Sequence, residues 1–121
     1  MSKARRRDRD LLADVREAIE RILEYTHELT FDQYVQSRLV QDAVLRNLQV
    51  IGEAAKKISD DVKACHPEVP WRRMAGLRDR VVHDYFGVDD QVVWSVVRQD
   101  LPPLVDRLTA ILQGLPPDEE P

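Results

Sequence analysis

The stretch TFDQYVQSRLVQDAVLRNLQVIGEAAKKIS, residues 30–59, decides the fold. Thr30 followed three positions later by Gln33 reads as a capping box, in which each side chain satisfies a backbone N–H of the other. Behind it Val35, Leu39, Ala43, Leu48, Ile51, Ala55 and Ile58 recur at spacings of three to five residues, with Val44, Leu45 and Val50 widening the stripe. That period belongs to one face of an α-helix. Gly52 sits in the middle of it, where glycine costs about 1 kcal/mol relative to alanine. Its presence there predicts that another helix comes close.

Toward the N-terminus, Leu11, Val15, Ile19, Ile22 and Leu23 form a second such stripe and predict a helix over about residues 8–28. Toward the C-terminus the pattern is lost over residues 60–69. Pro70 then suits the first turn of a third helix, over residues 71–83, with Met74, Leu77, Val81 and Val82 facing inward. That helix ends near Gly87. Asp89 or Asp90 caps a fourth, which carries Val92, Val93, Val96 and Val97. Leu101-Pro102-Pro103 breaks it, and Pro103 starts a fifth that runs through Leu104, Leu108 and Leu112 and closes at Gly114. The reading is all-α: an up-and-down bundle of four to five helices over residues 8–114. A basic, flexible arm at residues 1–7 and an acidic, proline-containing tail at residues 115–121 flank it.

No apolar run reaches the roughly 20 residues that span a bilayer, and the basic N-terminus has no apolar segment behind it. Cys65 is the single cysteine, which excludes an internal disulfide and a cysteine-built metal cluster. A cytoplasmic protein fits these features. The net charge of −4 speaks against a general nucleic-acid binder. Positive charge is nevertheless concentrated in the first nine residues and at Arg72, Arg73, Arg78, Arg80 and Arg98, which allows a locally basic site.

The chemistry is concentrated in Arg78-Asp79-Arg80-Val81-Val82-His83-Asp84-Tyr85. A permanent cation beside a group that titrates near neutral pH can work on a phosphodiester without a metal. Asp79 and His83 are four apart, so on a continuous helix they share a face, and the carboxylate can fix the imidazole tautomer. Arg78 lies about 140° from His83 around such a helix, a poor angle for joint action. Either the helix distorts near His83, or the working Arg and His meet those of a second subunit. Glu53, beside Gly52, can reach toward Arg78 or His83 across a helix contact. Trp71 and Trp94 read as core or interface aromatics. His27, His66 and His83 are too scattered to read as metal ligands. No glycine-rich phosphate loop is present.

The set Asn47…Ile51-Gly52-Glu53-Ala54-Ala55, Pro70-Trp71…Gly76-Leu77-Arg78-Asp79…His83-Asp84-Tyr85-Phe86-Gly87 and Val93-Trp94…Leu101-Pro102 resembles the HepT-like branch of the HEPN superfamily. The likeness runs from about Leu11 to Leu112. The signature is Arg, four residues, His, one residue, Tyr, here Arg78, His83 and Tyr85. The resemblance implies a helical homodimer whose paired Arg78 and His83 form a metal-independent endoribonuclease site, with Asp79 and Glu53 in supporting places. It implies a toxin of a type VII-like toxin–antitoxin pair. The partner would be a minimal nucleotidyltransferase antitoxin that transfers AMP to Tyr85 and silences the nuclease. RNA is the substrate class, tRNA and mRNA included. The position after the motif arginine is often Asn in such nucleases. Asp79 departs from that, being an acceptor only, and adds negative charge beside the phosphate site. The competing reading is a non-catalytic helical dimer that binds the nucleotidyltransferase and serves as its nucleotide acceptor.

Overall fold

Thr30 caps a helix as its sequence requires. Its Oγ1 accepts from the Gln33 N–H at 3.2 Å, and the Gln33 Oε1 accepts from the Thr30 N–H at 2.9 Å. The computed structural model describes residues 2–83 and 87–115, with side chains for all of these but residues 2–6 and 83. Asp84, Tyr85, Phe86 and the tail at residues 116–121 lie outside the described residues.

The helix begun at Thr30 is not one long rod. It divides into α2 (Phe31–Gln36) and α3 (Arg38–Lys57). Ser37 between them takes φ −107° and ψ 96°, and its Oγ accepts from the Val40 N–H at 3.3 Å. A serine hydroxyl competes well for backbone donors at such a junction, and here it caps the second helix. The break changes the phase of the stripe. Tyr34 goes into the core, while Val35 and Leu39, expected inside, are exposed, Leu39 by 81%.

α1 (Ser2–Thr26) starts earlier than the sequence suggests and packs along α3 and α8 (Leu101–Gly114). Leu12, Val15, Ile19 and Ile22 of α1 meet Val44, Leu48 and Ile51 of α3 in one buried core. Asp8 on the first turns of α1 is buried and takes hydrogen bonds from Ser59 N–H at 2.9 Å and Ser59 Oγ at 2.7 Å. That ties α1 to the start of α4 (Asp60–Cys65), a short helix in the stretch that reads as a loop. Its cap is again a serine, Ser59.

The third predicted helix is two short ones, α5 (Trp71–Ala75) and α6 (Leu77–Val81), separated at Gly76. Backbone pairing then replaces helix: β1 (Val82–His83) and β2 (Gly87–Val88) lie antiparallel, with Val82 opposite Val88 and His83 opposite Gly87. The valine run after Asp89 is helical, as its cap predicts: α7 (Asp90–Ser95), with Asp89 Oδ1 accepting from Val92 N–H at 3.1 Å.

Pro102 and Pro103 do not break the chain direction. α7 continues through a π-helical segment, Val96–Asp100, into α8. Two prolines in sequence remove two donors and crowd the carbonyls one turn back. The wider π turn accommodates this, with the Leu101 N–H bonding the Val96 carbonyl five residues back. Among the described residues the architecture is therefore all-α, with the second and third predicted helices each divided in two.

The π segment also aims Arg98 back across the bundle. Its Nη2 donates to the carbonyls of Thr26 at 2.7 Å and Leu29 at 2.6 Å, closing the C-terminus of α1. Its guanidinium lies 4.3 Å from the ring centre of Trp94, which packs on Tyr34 at 5.2 Å and Phe31 at 6.1 Å. Burial, with the charge of Asp90 behind it, pushes the Tyr34 phenol well above its usual range. Arg98→Ala leaves two carbonyls and a ring face without the cation, and is expected to cost about 2 kcal/mol in a denaturant titration. No loss would mean that water caps α1 equally well.

Candidate functional site

α6 holds its place through Leu77 and Val81, both buried, and leaves Arg78, Asp79 and Arg80 on its outer side. It stops at Val81 because Val82 turns extended (φ −110°, ψ 124°), keeping only a bond from its N–H to the Arg78 carbonyl. The Val81 carbonyl is instead taken by the Asp89 N–H at 2.7 Å, which draws the two ends of this segment together. Gly87 sits at φ +74°, in the left-handed region, with open space where a Cβ would stand. Only backbone conformation, not room, calls for glycine here. Gly87→Ala is expected to cost about 1 kcal/mol by thermal melting and to lower activity more than stability, because it strains the segment that carries His83. Equal activity in the variant would mean that the segment's shape does not matter.

The helix end changes the relation among the predicted site residues. Asp79 and His83 do not share a helix face, because the helix has ended between them. Distortion near His83, one of the two resolutions of the awkward Arg78 angle, is what the backbone adopts. Asp79 is exposed on α6. Glu53 on α3 is exposed too, and its carboxylate takes a hydrogen bond at 3.1 Å from the Gln49 amide rather than reaching α6. Asn47 is buried and bonds back to the Ala43 carbonyl of its own helix at 2.8 Å. Tyr85 lies outside the described residues.

Arg78 faces α3 across a cavity of about 310 Å³. Asp42, Leu45, Arg46 and Gln49 of α3 line one side, and Arg78 and Val82 the other, with His83 next along the backbone. Among the described residues neither Arg46 nor Arg78 has an ion-pair partner. The other arginines of the basic cluster are differently placed. Arg80 pairs with Asp100 at 3.1 Å, Arg73 approaches the same carboxylate at 4.0 Å, and Arg107 donates to the Glu68 carbonyl at 3.0 Å. These three rim a second, smaller cleft over Met74 and Leu104. The cluster read from sequence is thus divided: Arg98 caps α1, Arg73 and Arg80 answer Asp100, and Arg78 stands with Arg46. Among the described residues, no group of three or more His, Cys, Asp or Glu is arranged to hold a metal ion. No helix among them is long and apolar enough to cross a membrane.

The model of the family described as "Ribonuclease HepT-like" matches residues 15–111. The chain belongs to the ribonuclease HepT-like family. Similar proteins include one from Thermococcus cleftensis named "Probable ribonuclease HepT", 48% identical over 100 residues that cover 83% of this chain and 91% of the relative. A Methanocaldococcus jannaschii protein, named as a candidate RNase, is 35% identical over 112 residues, 93% of each chain. Another, from Caldanaerobacter subterraneus, also named as a candidate RNase, is 31% identical over 87% of this chain and 94% of its own length. No solved structure matches. The HepT-like match spans both walls of the cavity, α3 and α6.

Asp42, Arg46 and Gln49 escape a sequence reading. They fall on the polar side of α3, where charged residues usually mean only a solvated face. Their spacing of four and three does place them in one row. What the sequence cannot supply is that α6 ends opposite that row.

Proposed function

We propose that this protein is a metal-independent endoribonuclease acting as the toxin of a toxin–antitoxin pair. Family membership, joined to an arginine without an ion-pair partner among the described residues at a cavity beside the His83 backbone, is the observation that carries the reading. An RNA 2′-OH attacks the adjacent phosphorus once a base takes its proton. The P–O5′ bond breaks as an acid protonates the departing oxygen, leaving a 2′,3′-cyclic phosphate and a 5′-hydroxyl. His83 side chains of two subunits divide these proton transfers, and Arg78 holds the charge that builds on the phosphoryl oxygens.

A homodimer fits the exposed apolar residues. Leu39 lies on the same side of α3 as Asp42 and Arg46, about one turn before the first and two before the second, so a second copy that covers Leu39 also approaches the cavity. Asp79 and Glu53 take supporting places, Glu53 by holding Gln49. Transfer of AMP to Tyr85 by a minimal nucleotidyltransferase antitoxin would set bulk and negative charge two residues from His83 and so exclude RNA. A cytoplasmic location is the natural one for such an enzyme and its RNA.

Purified protein incubated with total RNA in excess EDTA is expected to cleave it, and His83→Ala to leave it intact. Cleavage by the variant as strong as by the parent would sink the assignment. Intact RNA from a parent protein whose mass shows unmodified Tyr85 would transfer support to the non-catalytic nucleotide acceptor.

A further inference from the structure

The cavity between α3 and α6 combines features that a phosphate clamp alone does not need. Pockets that hold small organic ligands run from about 300 Å³ upward, and this one is of that size. Leu45 and Val82 give it apolar walls, Arg46 and Arg78 two guanidinium groups, and Asp42 and Gln49 a carboxylate and an amide. An apolar surface accepts the face of a base. Two guanidiniums accept a phosphate, each able to bind it through two parallel N–H bonds. A carboxylate and an amide read a base edge. Among the described residues Arg46 answers no carboxylate, so its charge is free for a ligand, unlike that of Arg80. Gln49 is held in place by Glu53, an orientation a recognition residue requires.

We propose that this cavity binds one nucleotide of a single-stranded RNA, its phosphate held by Arg46 together with Arg78 and its base edge by Asp42 and Gln49. The inference rests on the ribonuclease reading for the identity of the ligand and adds to it a specificity. A carboxylate accepts hydrogen bonds but cannot donate. Cytosine offers Asp42 an amino group where uracil, of the same size, offers only a carbonyl oxygen. The site therefore prefers an amino-bearing base to uracil. Arg46 is a binding residue and Asp42 a specificity residue.

The test is equilibrium binding of fluorescent, fully 2′-O-methylated oligonucleotides, which lack the attacking hydroxyl. Arg46→Ala is expected to weaken binding about tenfold. It should also reduce the slope of log affinity against log salt by about 0.7, one phosphate contact on a single strand. Arg73→Ala, which removes a cation from the other cleft, should stay within about twofold of the parent. Oligo(C) should bind more tightly than oligo(U), and Asp42→Asn should erase the difference. Unchanged affinity and salt slope in Arg46→Ala would overturn the proposal. Equal affinity for oligo(C) and oligo(U) in the parent would remove Asp42 from base recognition. RNA bound through Arg46 yet never cleaved would sink the nuclease and leave this site standing. RNA cleaved by a protein indifferent to Arg46→Ala would do the reverse.

Discussion

Arg78→Ala is expected to lower RNA cleavage by about 10²–10³-fold, the range seen when one transition-state donor is removed, while the melting temperature stays within a degree or two of the parent. The two halves of this expectation come from the same geometry. Arg78 is exposed on a short helix and, among the described residues, has no ion-pair partner, so its loss removes no folded-state charge pair. It lines a cavity beside the His83 backbone, so its loss removes a cation from the proposed phosphate site. Arg78→Lys sharpens the test. Lysine keeps the charge but loses the planar fork that meets two phosphoryl oxygens together. It should recover part of the binding and little of the rate. A fall in stability with full activity would mean that the arginine serves the fold and not the chemistry. Single-turnover cleavage and thermal melts on the same three proteins decide it.

Local signals carried much of the fold, and the failures have local causes too. Thr30, Ser59 and Asp89 cap helices because a short side-chain oxygen satisfies donors that the helix cannot. Thr30 is legible from spacing alone, and Asp89 as one of two candidates beside Asp90. Ser37 uses the same chemistry in mid-pattern, where an apolar period on both sides hides it, and Val35 and Leu39 are misplaced as a result. Pro102 and Pro103 stop a regular α-helix. They do not stop a π turn, which is invisible to a 3.6-residue period. At the site, the motif singles out Arg78 as a candidate, whereas the helical turn that would tie Asp79 to His83 does not exist. The pairing of Val82 with Val88 that replaces it depends on a contact across the chain. Periodicity within one segment cannot report such a contact. The same holds for Arg46 and Gln49, whose row on α3 acquires meaning only from what α6 sets opposite.

Gly52→Val is expected to destabilise the protein by about 2–3 kcal/mol, a fall in melting temperature of roughly 10 °C. A Cβ at Gly52 would stand 3.3 Å from the Ala75 carbonyl oxygen and 3.4 Å from that of Met74. Both atoms are backbone, so no side chain can swing aside. Gly52→Ala sets a gain of about 1 kcal/mol in helix propensity against this tight contact, and should lie near the parent. Valine adds two methyl groups where even the first carbon is crowded, and it can relieve them only by moving α5 away from α3. That movement is not confined to the core. α5 leads through Gly76 into α6, which carries Arg78, while Arg46 and Gln49 stay on α3 with residue 52. A displaced α5 therefore widens the cavity that the two helices share. Cleavage by Gly52→Val should fall even well below its melting temperature, whereas Gly52→Ala keeps both properties. A valine variant with parental stability would mean that α3 and α5 are not seated as closely as their carbonyl contacts indicate. A destabilised variant with full activity at low temperature would separate the packing of α5 from the placement of Arg78.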